Sequence, residues 1–183
     1  MGTRTQITAD DLERIAPYVG PCELVEGELV RMSPGGADHS AVTGQIFLLL
    51  QNHARQVAAG RVLTNETGIV VKRHPDTVRG ADVLFISYSR LPKAVTLKGY
   101  LRQAPELVVE VLSEDDTWKR MEEKIADYHG CGVDMVWVAD PRTLSVRIYP
   151  NGGEVGVRHA SVEISGDPFL PGFHCTVAEM FAD

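Results

Sequence analysis

Two acidic residues lie in apolar stretches that are typical of buried strands. Glu110 stands in LVVEVL (107–112), and Asp82 stands in ADVLFI (81–86). Apolar, partly β-branched runs of this length indicate strands covered on both faces. A carboxylate in such a strand costs free energy unless a cation or hydrogen bonds compensate it. If the two strands are neighbours, the carboxylates converge, and such a pair suits Mg²⁺ or Mn²⁺.

A lysine follows Glu110 on a predicted helix. The apolar residues of this helix recur three and four positions apart and form one stripe: Trp118, Met121, Ile125 and Tyr128. At about 100° per residue, Lys124 lies at the edge of that stripe, whereas Lys119 points nearly opposite. Lys124 can lean toward the carboxylates or snorkel into water. The presence of Asp82 and Glu110 favours the first interpretation.

The remaining pattern predicts a mixed sheet with helices packed on it. The first predicted elements are a helix capped by Thr8 and Asp11 that ends at Ile15 before Pro17, a hairpin around Glu26-Gly27, and a helix over 38–59 closed by Gly60. Short strands over 61–64 and 67–72, a strand over 81–86 and a basic connection over 89–103 follow. The rest of the chain is predicted to form strand 107–112, a helix over 116–129, strand 135–140, short strands near 144–149 and 154–158, and a short C-terminal helix. This order indicates an α/β or α+β core in one domain spanning 1–183, with an N-terminal hairpin and a peripheral C-terminal β-meander.

Composition excludes several classes of protein. The 183 residues are 44% hydrophobic and 23% charged, as in ordinary globular domains. No apolar run approaches the roughly 20 residues that span a bilayer, and the N-terminus lacks the apolar core of a signal peptide, so we expect no membrane and a cytoplasmic location. The three cysteines have no paired spacing, which predicts reduced packing residues without a disulfide or zinc site.

The charge of the chain is uneven. The net charge of -7 counts against nonspecific coating of nucleic acid. Between Lys72 and Gln103, however, seven basic residues stand against two acidic ones. Taken alone, such a run favours a solvated loop face. The alternative is a nucleic-acid contact, for which the candidates are Lys72, Arg73, Lys93 and Lys98.

Three motifs together resemble one known family. GADVLFI, PELVVEVLS and EEKIADYHGCGVDMVWVADP are similar to the Uma family of predicted endonucleases, a branch of the PD-(D/E)XK nuclease superfamily that includes restriction-enzyme relatives. CELVEGELVRMSP resembles the N-terminal hairpin of that family, and LPGFHCTVAEMF resembles its C-terminus. The resemblance implies a restriction-endonuclease-like core.

The resemblance also implies roles for particular residues. Asp82 matches the aspartate of the PD element, and Glu110 matches the acidic residue of (D/E)XK. The backbone carbonyl of Val111 would be a further metal ligand. Leu112 stands where the superfamily usually has its lysine, and Lys124 matches a lysine carried on the following helix instead.

Two departures from the family pattern leave these groups in place. Ala81 replaces the proline before the aspartate, and Glu114 replaces a proline common after EVLS. Glu28 and His39 are second-tier site candidates. Glu28 follows a glycine in the hairpin, and His39 begins the long helix, where a capping or surface role is favoured.

The implied chemistry is hydrolysis of phosphodiester bonds in DNA by a Mg²⁺- or Mn²⁺-dependent endonuclease, with a homodimer as a candidate assembly. One alternative is a catalytically silent nuclease-fold module that binds nucleic acid or a protein partner. A third hypothesis is a small-molecule phosphodiesterase. The acidic surface is compatible with this function, but no motif in the sequence supports it. No GxSxG, GxGxxG or GxxxxGK[ST] motif supports a serine hydrolase or a nucleotide-binding loop.

Overall fold

A computed structural model describes residues 6–182 as four helices and ten strands. The helices are α1 (Ala9–Val19), α2 (Ala37–Gln56), α3 (Trp118–Cys131) and α4 (Val177–Met180). The strands are β1 (Cys22–Val25), β2 (Glu28–Arg31), β3 (Gly60–Lys72), β4 (Thr77–Ser87), β5 (Leu107–Val111), β6 (Met135–Asp140), β7 (Ser145–Pro150), β8 (Gly156–His159), β9 (Glu163–Ser165) and β10 (His174–Thr176).

Eight strands form one central sheet in the order β2-β1-β4-β5-β6-β7-β8, with β3 paired along β4. The pairs of strands are antiparallel except for β5 and β6, which run parallel and are joined by α3. β7 and β8 form the predicted meander beyond β6, whereas the small sheet of β9 and β10 is an element that the pattern did not predict. A mostly antiparallel mixed sheet flanked by helices confirms the predicted fold class.

Helices α2 and α3 cover opposite faces of the sheet. One apolar cluster joins α2 to Val83, Phe85 and their neighbours, and a second joins α3 to Leu84, Ile86 and Val108. Side chains alternate between the two faces along a strand. Asp82 and Glu110 therefore share the face of Leu84 and Val108 and point toward α3.

Several predicted boundaries are wrong for identifiable reasons. Helix α1 has the predicted capping box but continues to Val19, with Pro17 inside its last turn. A proline there removes one hydrogen bond near the helix end and does not stop the helix. Gly60 begins β3 and does not close α2, which ends at Gln56. Asp82 lies in the middle of β4, since that strand begins at Thr77.

The two short strands predicted over 61–64 and 67–72 are one strand with a bulge. β3 runs from Gly60 to Lys72, and its register with β4 shifts between Thr64 and Thr67. The two residues of the bulge have left-handed φ angles, 66° at Asn65 and 55° at Glu66. A bulge of this kind re-aims a side chain relative to the sheet.

Within residues 6–182, no helix is both long enough and apolar enough to cross a membrane. The prediction of a single domain stays a prediction.

Candidate active site

A short interval of β4 separates its pairing with β1 from its pairing with β5. On this edge, Val78 of β4 pairs with β1, and residues 83–85 pair with β5. Asp82 and Glu110 lie one position beyond the last of the β5 pairs, Val83 with Val109. There the backbone N–H of Val111 donates to Oδ2 of Asp82 at 2.7 Å. The carboxylate of Asp82 thus takes the place of a backbone acceptor where the two strands separate.

Both carboxylate oxygens of Glu110 accept hydrogen bonds from α3. Lys124 Nζ donates to Oε2 at 2.7 Å, and the Tyr128 hydroxyl donates to Oε1 at 2.6 Å. The two donors are four residues apart, so they lie on one face of the helix. Glu110 is only 3% exposed, and these contacts supply the compensation that a buried carboxylate requires.

Gly80 connects the groups around the site through its backbone. Its carbonyl oxygen lies 3.1 Å from Lys124 Nζ and 3.2 Å from the Tyr128 hydroxyl. Its N–H donates to Oε1 of Glu23 at 3.0 Å. A Cβ at this position would lie 2.7 Å from Oε2 of Glu66, so that carboxylate would have to shift if Gly80 were replaced.

A chain of buried ion pairs extends the network away from Glu110. Lys124 Nζ lies 3.4 Å from Oε1 of Glu23, and Oε2 of Glu23 pairs with Arg79 at 2.8 Å. Arg79 in turn pairs with Asp127 of α3 at 2.7 Å. Acidic and basic groups alternate along this chain, so each buried charge has a partner of opposite sign.

Burial and neighbouring charges shift the pKa values of the central groups. Burial raises the pKa of Glu110 to about 8, although the charge of Lys124 opposes the rise. Burial would also raise the pKa of Asp82, but the hydrogen bond from His39 and the charge of Lys124 leave it lowered. Burial acts to lower the pKa of Lys124, and the charges of Glu110 and Glu23 outweigh it, so this pKa is raised. Lys124 is therefore protonated at neutral pH, beside the carboxyl groups of Glu110 and Glu23.

His39 lies in the site, contrary to the favoured capping or surface role. The residue that caps α2 is Gly36, whereas His39 Nε2 lies 3.3 Å from Oδ2 of Asp82. The His39 side chain is only 14% exposed. Its hydrogen bond with Asp82 raises the pKa of the imidazole. His39 thus reaches Asp82 from α2, which otherwise covers the opposite face of the sheet.

Glu66 is a further acidic group near Asp82. It occupies the bulge of β3, and its carboxyl group interacts with Asp82. Burial of the group and the charge of Asp82 raise the pKa of Glu66 to about 7.

The site opens into a cavity of about 710 Å³ with a predominantly acidic lining. The acidic residues of the lining are Glu23, Asp38, Glu66, Asp82, Glu110, Glu114, Asp115, Asp116 and Glu123. The basic residues of the lining are Arg31, Arg79, Arg120 and Lys124. A phosphate group entering this cavity meets an excess of negative charge.

Other predicted residues lie outside this cavity. Glu28 is exposed on β2 and does not line it. Neither do the four predicted nucleic-acid contacts. Lys72 pairs with Glu26 at 2.7 Å, and Arg73 pairs with Asp76 at 2.8 Å. Lys93 lies over the ring of Tyr88, and Lys98 is exposed in the connection between β4 and β5.

Three site residues were missed by sequence reasoning. Glu23 lies in the apolar strand CELV, the same signal that pointed to Glu110 in LVVEVL. Tyr128 was assigned to the apolar stripe of α3 without a role for its hydroxyl. Glu66 had a weaker signal, a break between two predicted strands next to Asn65, a residue that tolerates left-handed φ.

The carboxylates do not form a ready-made metal cage. Within residues 6–182, no three His, Cys, Asp or Glu side chains converge in the arrangement of a metal site. Oxygen donors are nevertheless concentrated here, because Asp82 and Glu110 leave neighbouring strands on the same face and Glu66 approaches Asp82.

Comparison with known proteins identifies the fold first and then the family. A crystal structure from Anabaena variabilis ATCC 29413, described as "a putative nuclease belonging to DUF820", matches with a TM-score of 0.81 and 19% identity, over 96% of this chain and 97% of that chain. The chain therefore has the fold of that protein. The model of the Uma2 family, described as "Putative restriction endonuclease", matches residues 10–178. The chain belongs to the Uma2 family, and its membership indicates a nuclease. No curated protein matched the sequence.

Proposed function

We propose that this protein is a metal-dependent endonuclease of the PD-(D/E)XK type that hydrolyses phosphodiester bonds in DNA. The observation that carries the proposal is the convergence of Asp82, Glu110 and Lys124 at one cavity, from two adjacent strands and the helix that follows them. Membership of a family described as restriction endonucleases supports the same reaction class.

The residues at the cavity fit Mg²⁺ or Mn²⁺ by their donor chemistry. Mg²⁺ is bound through one or two carboxylates and retains several waters, so it does not require three protein side chains. Asp82 and Glu110 would hold the ion, with the carbonyl of Val111 as a predicted further ligand. When bound, such an ion lowers the pKa of a water ligand and stabilises negative charge on a phosphate.

The chain's own groups support this chemistry in separate ways. Lys124 carries a fixed positive charge that can stabilise the charge developing on a phosphate in the transition state. Its orientation is set by Glu110 Oε2 and the Gly80 carbonyl. His39 hydrogen-bonds to Asp82 and orients that carboxylate. The acidic lining of the cavity repels a phosphate group unless a cation is bound with it. This repulsion is a physical reason for cleavage to depend on a metal ion.

One observation favours a second candidate function, a catalytically silent module that binds nucleic acid or a protein partner. Lys124 and Tyr128 already satisfy both oxygens of Glu110. A network that is complete in itself can serve the fold alone. A DNA substrate and a homodimer remain proposals in either case.

The test combines cleavage with metal binding. We expect the wild type to cleave at least one member of a panel of plasmid, single-stranded and branched DNA with Mg²⁺ or Mn²⁺. Asp82→Asn should lower the rate at least about a thousandfold. Mn²⁺ should raise the Tm of the wild type but not that of Asp82→Asn, because a ligand that binds the native state stabilises it.

Two outcomes would contradict the proposal. A full rise in Tm for Asp82→Asn would place the metal elsewhere. Absence of cleavage across the panel with either metal would favour the silent module.

A further inference from the structure

Most basic side chains of this protein are engaged with other groups of the chain. In the part of the chain that the structure describes, the exceptions, which have no hydrogen-bond, ion-pair or ring partner, are Arg31, Arg55, Lys98, Lys119 and Arg120. A basic side chain without an internal partner is available to an external anion. These residues are therefore the first candidates for contacts with a ligand.

Two of them line the cavity that contains Asp82 and Glu110. Arg31 ends β2, and Arg120 lies in the first turn of α3, so they belong to separate elements of the lining. Both are exposed, unlike Arg79 and Lys124, which line the same cavity and are held by carboxylates.

An acidic residue one helical turn before Arg120 is hydrogen-bonded to another group. Asp116 precedes Arg120 by four positions, a spacing at which ion pairs form within helices. Its Oδ2 instead accepts hydrogen bonds from the N–H and the hydroxyl of Ser113, both at 2.7 Å. Asp116 is thus hydrogen-bonded to Ser113, and within the described residues it forms no ion pair with Arg120.

We infer that Arg31 and Arg120 bind backbone phosphates of the nucleic acid that enters this cavity. This inference rests on the proposed function. It assigns the phosphate contacts to these two arginines and not to the basic run between Lys72 and Arg102. A guanidinium suits this role because its planar donors match a phosphate in a bidentate manner. The two arginines also offset part of the repulsion that the acidic lining exerts on the substrate.

The salt dependence of DNA binding tests this inference. The probes are a fluorescently labelled duplex and the matching single strand, with Ca²⁺ in place of Mg²⁺ and gels to verify that the DNA stays intact. Replacing both arginines (Arg31→Gln with Arg120→Gln) should weaken binding about tenfold per contact. The slope of log K against log salt should become shallower by about 1.8 for duplex DNA, or about 1.4 for a single strand.

Two control variants separate charge from folding and from position. Replacing both arginines with lysine keeps the charge, so the slope should stay near that of the wild type. The pair Lys93→Gln and Lys98→Gln removes the same charge outside the cavity and should leave the slope unchanged. The Tm of each variant shows whether the protein is folded.

The outcomes separate this inference from the function on which it rests. A wild-type slope in the Arg31 and Arg120 variant, or a change of slope in the Lys93 and Lys98 variant only, would overturn the inference while cleavage still supports a nuclease. Absence of both binding and cleavage in the wild type would overturn the DNA substrate together with the inference.

Discussion

The network around Gly80 and the basic run from Lys72 to Arg102 both concentrate charge, yet they use it differently. In the network, Lys124 and Arg79 are buried among carboxylates from distant parts of the chain. In the basic run, most charges are paired at or near the surface: Lys72 with Glu26, Arg73 with Asp76, Arg90 with Asp134, and Arg102 with Asp10 and Glu13.

The difference shows that a cluster of charge in a sequence does not define a binding surface. Arg79 belongs to the basic run by its position but to the buried network by its contacts. Removing one partner of a buried ion pair leaves an uncompensated charge, whereas exposed pairs contribute little to stability. Substitutions in the two regions should therefore have very different effects.

The largest effect is expected from Lys124→Met. The Lys124 side chain is only 16% exposed and pairs with Glu110 and Glu23. Its loss should lower the free energy of unfolding by about 3–5 kcal/mol. Cleavage by the folded protein should slow at least about a hundredfold. Urea unfolding and single-turnover cleavage measure the two effects.

The matched control for this variant is Lys119→Met on the same helix. Lys119 is exposed, so its substitution should change stability by no more than about 0.5 kcal/mol. Equal unfolding midpoints for the two variants would refute the buried network. Wild-type cleavage by Lys124→Met would refute the role of this lysine in the reaction.

An intermediate effect is expected from Tyr128→Phe. This change removes the hydroxyl 2.6 Å from Oε1 of Glu110 and keeps the packing of the ring. Loss of this hydrogen bond leaves a buried oxygen of Glu110 without its donor and should cost about 1–3 kcal/mol in the free energy of unfolding. Tyr18→Phe is the control, since Tyr18 is 88% exposed and should tolerate the change. A Tyr128 variant as stable as the Tyr18 variant would mean that the hydroxyl does not stabilise Glu110.

The smallest effect is expected from Arg102→Gln. The Arg102 side chain is 47% exposed, and its pairs with Asp10 and Glu13 are accessible to salt. Its loss should cost less than about 1 kcal/mol, and less still at high salt. Arg79→Gln, in the same stretch of sequence, should cost at least about 3 kcal/mol. Similar losses in these two variants would erase the distinction between the two regions.

Local sequence patterns predict most strands of the central sheet, and they select Asp82 and Glu110 as a candidate pair. The strands of Asp82 and Glu110, the hairpin, the helix of Lys124 and the strand after it all follow from local patterns of apolar residues. Hydrophobic periodicity is set by neighbouring positions, so it can be read without knowing the fold. The same patterns indicated that the carboxylates share a site, because a buried charge requires compensation.

The groups that provide this compensation come from distant parts of the chain and are brought together only by folding. Glu23, Glu66 and Tyr128 reach Gly80 and its surroundings from separate elements, and no local pattern encodes those approaches. His39 meets Asp82 across 43 positions of sequence. The basic run loses its apparent availability for the same reason, since several of its partners lie in α1 and in the hairpin of β1 and β2. Side-chain pairing depends on the path of the whole backbone, and only the folded chain specifies that path.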